Sequence, residues 1–431
     1  MQIETLNKNK VDFRKINKFE PNWLYGLRKN GWEHYQNTPL PNRIGHLWRY
    51  SDPQSYLIDN TELAMNISPS NANGGKASNL PDNSNFDAIG RNGDDLSLFL
   101  QTSPRAESSG VIFRNLLAAA RDYPEWVEKY LGKLVTIDYG IFEALNMALW
   151  NTGIFIYIPD NAIIEKPIYL HRHPTCDNTI TRLLVVMGKN SEATIIDDYN
   201  CHCSSDRAIV NSAVEIFADD STRVRYINLQ QLGRGSNSFM TQRTQLGANA
   251  ESYSIFISLG GTISKINAGT ILNGRGATSN MYGIVFGDKG QKFDHHTAHI
   301  HQASNSYSNI DFKVVLKDKA VSAYTGLIKI AKDAVNCEAY QENRNLLLDK
   351  GTKAESIPEL EILTDQVKCT HGATVGPIDP QMIFYLKSRG YNSEEAIRTL
   401  VMGFVETTMH KIPGNLEKSA REAVLRKIEG K

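Results

Sequence analysis

The 431-residue chain is poor in cysteine. Five thiols, at Cys176, Cys201, Cys203, Cys337 and Cys369, are an odd number spread over a long sequence, which suits reduced thiols better than a disulfide framework. Charge of one sign is also missing: 47 basic side chains balance 47 acidic ones, with neither a Lys/Arg block nor an acidic tail. That removes the electrostatic footprint expected of a partner to nucleic acid or to an anionic membrane surface. No apolar run approaches the roughly 18 residues of a membrane helix, and Met1 to Thr5 lacks the charged-then-apolar pattern of a signal peptide. We therefore expect a cytoplasmic protein with no nucleic-acid and no membrane partner. Enzyme signatures are absent too. There is no Gly-x-Ser-x-Gly elbow, no phosphate loop ending in Gly-Lys-Ser/Thr, and no Gly-x-Gly-x-x-Gly opening a helix after a strand. The carboxylate pairs Asp197-Asp198 and Asp219-Asp220 read as turns, where Asp is favoured for backbone reasons, so a carbohydrate-active β-helix enzyme is disfavoured. The expectation is a protein that is not itself an enzyme.

What is present divides into three stretches. Residues 1–138 read as a helical and loop-rich domain, with a helix from Leu24 to Tyr35, helical spacing over residues 111–130, and an Asn/Ser/Gly/Asp-rich excursion from about Asn66 to Asp95. A short amphipathic helix, Ile141 to Leu149, opens the second stretch, residues 139–375. From Ile154 onward the hydrophobic period is two. Tyr253, Ile255, Ile257 and Leu259 alternate with Ser252, Ser254, Phe256 and Ser258; Val210, Ser212, Val214 and Ile216 repeat the pattern, as do Val224 and Tyr226 set against Arg223 and Arg225. Short turns recur at Gly188-Lys189-Asn190, Ala218-Asp219-Asp220, Gly247-Ala248-Asn249, Gly274-Arg275-Gly276, Lys317-Asp318-Lys319 and Asp349-Lys350-Gly351, mostly about 30 residues apart. An extra turn, Gly287-Asp288-Lys289-Gly290, interrupts the period. Such a repeat without intervening helices points to stacked coils of strand, with a large antiparallel sandwich as the alternative.

The third stretch, residues 376–431, is helical. Asp379 is placed as an N-cap, Pro380 as the first helical residue and Gly390 as the stop. Asn392 and Glu395 form a capping-box pair before a stripe of Ile397, Leu400, Val401, Phe404 and Val405, and Pro413-Gly414 ends that helix. A last helix runs from Leu416 to Ile428.

Three clusters invite metal chemistry. Cys369 and His371, two apart on a strand, share a face and set a thiol beside an imidazole. Four of the 11 histidines fall between Phe293 and His301, with His296, His299 and His301 as possible ligands. Cys201-His202-Cys203 brings two more thiols close, in a loop-like setting. Against each stands the plainer reading of a buried thiol or a histidine bonded to its neighbours.

The segment Ala339-Tyr340-Gln341-Glu342-Asn343-Arg344-Asn345-Leu346-Leu347-Leu348, then Pro358 to Ile362, then Val367-Lys368-Cys369-Thr370-His371-Gly372-Ala373-Thr374-Val375-Gly376, closely resembles the SufB/SufD family of iron-sulfur cluster assembly proteins. The similarity continues through Phe384 to Gly390, back through Phe293 to His301, and more faintly to Phe142 to Asn146 and Trp48-Arg49-Tyr50. It covers most of the chain. The resemblance implies a mainly β protein, a right-handed parallel β-helix flanked by N- and C-terminal α-helical domains. It also implies dimerisation through the β-helix and a SufC ATPase docked by the C-terminal helices. The cysteine that SufB-type sequences carry falls near Thr352, and no cysteine stands between Cys337 and Cys369, which tilts the resemblance to the SufD-type branch. His371, with Cys369 beside it, is then the residue offered to a transient cluster or its iron. The helix Asn392 to Thr408, through Glu394, Ile397, Arg398, Val401 and Phe404, is the implied SufC contact. The partner at the β-helix is a SufB subunit in a heterodimer or a second copy of this chain in a homodimeric, SufB-like scaffold. The resemblance does not decide whether a flavin associates.

Overall fold

The computed structural model describes residues 20–43, 46–58, 85–92, 98–174, 178–201 and 208–430, apart from the side chains of residues 46, 414 and 415. Most of the excursion Asn66 to Asp95, together with Cys176, His202 and Cys203, lies outside the described residues. Within that excursion Ala88–Asn92 is a strand.

The molecule is mainly β, 45% strand and 26% helix, and its centre is a parallel β-solenoid of about seven turns. Successive strands alternate between two facing sheets. One holds Ile168–Arg172, Glu192–Asn200, Arg223–Gln231, Glu251–Ser258, Thr278–Gly287, Tyr307–Leu316, Cys337–Leu347 and Val367–Pro377 in order. We call it the first sheet. The second holds Thr152–Ile158, Thr179–Met187, Ala208–Ala218, Ser236–Leu246, Ile263–Leu272, Lys292–His301, Val321–Ile330 and Lys353–Ile362. Paired residues in adjacent rungs are separated by one coil, from 26 residues for Asn237 beside Ile263 to 32 for Val321 beside Lys353.

The turns explain both the repeat and its irregularity. At the edge where the chain passes from second sheet to first, each of the first seven coils places one residue in the left-handed region: Asn161, Asn190, Ser221, Asn249, Gly276, Asn305 and Asn336. Their amides form a ladder, Asn190 to Asp220 O, Ser221 to Ala248 O, Asn249 to Arg275 O and onward to Asn336 on Gln366 O. Asparagine tolerates this conformation better than other residues with a Cβ, which is why it recurs there. Gly287-Asp288-Lys289-Gly290, Lys317-Asp318-Lys319 and Asp349-Lys350-Gly351 belong to the opposite edge, where the chain returns to the second sheet. The broken period is two interleaved series of turns, one per edge.

Both outer faces are covered. The helices are α1 Asn22–Asn37, α2 Pro104–Ser108, α3 Leu116–Asp122, α4 Pro124–Tyr130, α5 Ile141–Leu149, α6 Pro380–Ser388, α7 Ser393–Met409 and α8 Gly414–Glu429. Residues of α1, α3, α4 and α5, with Trp48 and Tyr56, pack on Phe155, Ile180, Leu184, Val186, Phe217 and Phe239 of the second sheet. Arg182 and Glu215 anchor that cover through a fully buried ion pair of 2.8 Å, and Glu215 also accepts the amides of Gly132, Leu134 and Val135. Val401, Val405 and Met409 of α7 and Leu416, Ala420 and Val424 of α8 pack on Ile255, Ile257, Ile284 and Phe286 of the first sheet. These helices lie along the side of the solenoid instead of plugging its end, because a second apolar stripe faces outward there. In Glu251–Ser258 the isoleucines face the helices, while Ser252 and Ser254 stand on the inner face, in register with Val224 and Tyr226.

The local signals at the helix ends match the fold. Asp379 accepts from the Gln381 amide at 2.8 Å, and Asn392 and Glu395 make the reciprocal capping box. The region of residues 111–130 departs from a single helical reading: Ile112–Asn115 is a strand antiparallel to Thr152–Ile158, and α3 and α4 follow it. Asp197 and Asp198 lie within a strand, not at a turn.

The two ends of the solenoid differ. At the N-terminal end Ala88–Asn92 pairs with Ile168–Arg172 and is itself covered by antiparallel Leu98–Thr102, while Ile112–Asn115 borders the second sheet. Reversing strand direction in this way ends the parallel stack and shields its edge. At the C-terminal end Lys353–Ile362 and Val367–Pro377 are the last strands of their sheets, and both are largely accessible.

Candidate functional site

Parallel in-register pairing stacks equivalent positions of every coil into columns. One inward column of the first sheet runs Ala193, Val224, Ser252, Ser279, Ser308, Ala339, Cys369. The next runs Ile195, Tyr226, Ser254, Met281, Ile310, Gln341, His371. Cys369 and His371 therefore share a face, as their spacing predicts. They end these two columns on the uncovered rung. Cys369 is half-buried against Cys337, Ala339 and Ile330, and burial pushes its thiol pKa up. His371 is exposed. A half-buried thiol that keeps its proton binds iron only by releasing that proton, so its affinity for metal rises with pH.

The histidine segment does not converge. His299 and His301 point into the solenoid. His299 Nε2 lies 3.0 Å from Ser279 Oγ, and His301 Nδ1 and Nε2 lie 2.7 and 2.8 Å from the hydroxyls of Ser306 and Ser308. His296, an odd number of residues from both, faces the outside of the second sheet, 2.9 Å from Asp294 Oδ1. Asp294 there also receives Lys265 at 2.7 Å and the Ser51 hydroxyl at 2.5 Å. Burial holds the inner histidines neutral, with pKa values lowered to about 3 for His295 and His299 and about 4 for His301. The inner pair is spent on hydroxyl hydrogen bonds, and His296 on a carboxylate. Among the described residues no group of three or more His, Cys, Asp or Glu side chains is arranged to hold a metal ion. Cys201 is buried against Tyr199, Val210 and Leu232.

On α7, Val401 is fully buried against the first sheet, and Ile397 and Phe404 are partly buried with it. Glu394 and Arg398 face solvent. The accessible apolar surface lies instead on α6, which has no buried residue: Phe384 is 74% exposed, with Met382 and Tyr385 beside it. The sequence contains the signal in the form of three large apolar residues within four positions after a good N-cap. It reads as core until the fold shows that α6 has no sheet to cover.

Two family models match the chain: the SufBD protein N-terminal region over residues 9–170 and the SUF system FeS cluster assembly SufBD core domain over residues 171–404. Iron-sulfur cluster assembly protein SufD of Bacillus subtilis is 29% identical over 422 residues, 95% of each chain. SufB of the same organism is 25% identical over 442 residues, 99% of this chain and 93% of its own length. An iron-sulfur cluster assembly SufBD family protein of Staphylococcus saprophyticus is 25% identical over 432 residues, 96% of this chain and 91% of its own. With the core model covering most of the solenoid and the N-terminal model the region before it, the chain belongs to the SufB/SufD family of iron-sulfur cluster assembly proteins.

Proposed function

We propose that the chain is a SufD-type subunit of a cytoplasmic iron-sulfur cluster assembly complex, paired with a SufB subunit, served by the SufC ATPase and hydrolysing nothing itself. The observation that supports this most is the asymmetry of the solenoid. One end is closed by antiparallel strands, and the other presents Cys369 and His371 on a bare rung. A thiol and an imidazole are competent iron ligands, but two of them do not fill a coordination shell. A second subunit across the open rung supplies the rest, so the cluster or its iron is cargo held transiently between two proteins. Exposed Val375, Leu360 and Leu363 around the same rung give that partner an apolar contact.

A shared site is controllable. SufC docked on α6 and the exposed residues Glu394 and Arg398 of α7 pulls, through α7, on a helix that packs directly on the first sheet, and a small shift there alters ligand distances across the rung. Co-expression with SufB and SufC tests the assignment. The expected product is a complex containing this chain and SufB together. Recovery of the chain only as its own dimer with SufC overturns the pairing in favour of a homodimeric scaffold.

A further inference from the structure

Helices α7 and α8 do not seal the whole outer face of the first sheet. Near its first rungs, far along the stack from Cys369, a cavity of about 610 Å³ opens between the sheet and the first turns of α8. That volume lies within the range of small-molecule sites. Its floor is built by Tyr169, Ile196, Asp198 and Leu229, with Leu416 of α8 opposite.

The feature that sets the cavity apart is Asp198. The residue is only 6% exposed. The Tyr169 hydroxyl donates to Oδ2 at 2.6 Å and the Gln231 side chain also approaches the carboxylate, while the buried Oδ1 has no well-aligned donor. A buried carboxylate oxygen without a donor is costly, and burial lifts the Asp198 pKa to about 6. That cost falls on a residue that lines the cavity.

The surroundings define what would fit. Tyr169 is stacked with Phe86 at 4.9 Å and with His171 at 6.3 Å, so three aromatic rings line one side of the cavity. Burial keeps His171 neutral, its pKa lowered to about 4. Asn200 and Gln231 add side-chain amides, each able to donate and accept. A cation alone would satisfy Asp198, with Glu422 favouring it and Arg426 opposing it, but would leave the amides and the aromatic side chains unused. A planar ring with an N–H donor beside a carbonyl or ring-nitrogen acceptor uses all of them.

We propose that this cavity is a binding site for a flat, N–H-donating heteroaromatic molecule of the purine class, with Asp198 as the acceptor that selects it. Guanosine, whose N1–H and amino group present adjacent donors, is the probe. Titration of the full-length protein by calorimetry or ligand-observed NMR should give a Kd at or below about 1 mM, with adenosine weaker. Asp198→Asn keeps the shape and puts an amide N–H where Oδ1 stood, and should weaken guanosine by about tenfold or more. Ser419→Trp, at an exposed α8 position lining the cavity, should abolish binding without altering thermal unfolding. Absence of guanosine binding to the wild type overturns the proposal. So does binding that both variants retain, or binding of putrescine in place of guanosine.

Discussion

At the residue scale, the stack depends on one left-handed residue per coil. Asn249 sits at φ 55°, with its amide on Arg275 O. Asn249→Ala should cost about 1 kcal/mol in urea unfolding, while Asn249→Gly should be close to neutral, because only glycine escapes the Cβ penalty of that region. Gly274→Ala should be worse, since a Cβ there collides with the backbone of Gly247 and Ala248 in the preceding coil. The Gly/Asp/Asn turns were legible because this requirement is local. That they form two series was not, since the sequence does not say which edge a turn occupies. The buried histidines give a pH signature. His295, His299 and His301 have folded pKa values of about 3, 3 and 4, against about 6.5 for an unfolded chain. With the folded value depressed, their contribution is fully present above pH 6.5 and is lost as pH falls toward 4, because the unfolded chain takes up the protons first. Each contributes a slope of about 1.4 kcal/mol per pH unit in that window. Asp198, raised to about 6, acts in the opposite sense between pH 6 and 4 and offsets roughly one of them. Urea midpoints measured from pH 7 to 5 should fall; a constant midpoint would show that these imidazoles are not buried neutral.

At the element scale, the helical covers are part of the fold. Glu215→Ala leaves the Arg182 guanidinium buried without its carboxylate and frees three amides, so stability should drop by about 3–5 kcal/mol. On α7, Val401→Asp buries a charge in the apolar cluster between that helix and the first sheet and should give insoluble protein. Arg398→Glu and Phe384→Ser, on exposed positions, should leave unfolding unchanged within about 0.5 kcal/mol. Their effect should appear in a SufC pull-down instead, and normal retention of SufC by both variants would remove α6 and α7 from the docking surface. Helix ends were readable to within a residue or two from Asp379, Pro380, Asn392 and Glu395, because caps are chemistry between neighbours in sequence. The destination of each helix was not. Nothing local marks the isoleucines of Glu251–Ser258 as facing α7 and α8 and its serines as facing inward, since either face of an alternating strand can be the buried one.

At the scale of the whole molecule, the solenoid converts a spacing of two residues into a position in space. In the proposed site, Cys369 and His371 are brought out because pairing makes them the last members of columns that run through Ala193 and Ile195, and because no further rung covers them. Their common face was legible from period two alone, whereas their place on the open rung needed the complete strand order. The same geometry separates His296 from His299 and His301, which sequence proximity had grouped. The most direct measurement is anaerobic iron and sulfide analysis of the complex with SufB and SufC, comparing the wild-type chain with a Cys369→Ser, His371→Ala double variant. The account predicts that the variant assembles the same complex but loses most of the iron and sulfide. Equal iron and sulfide in both complexes would contradict it.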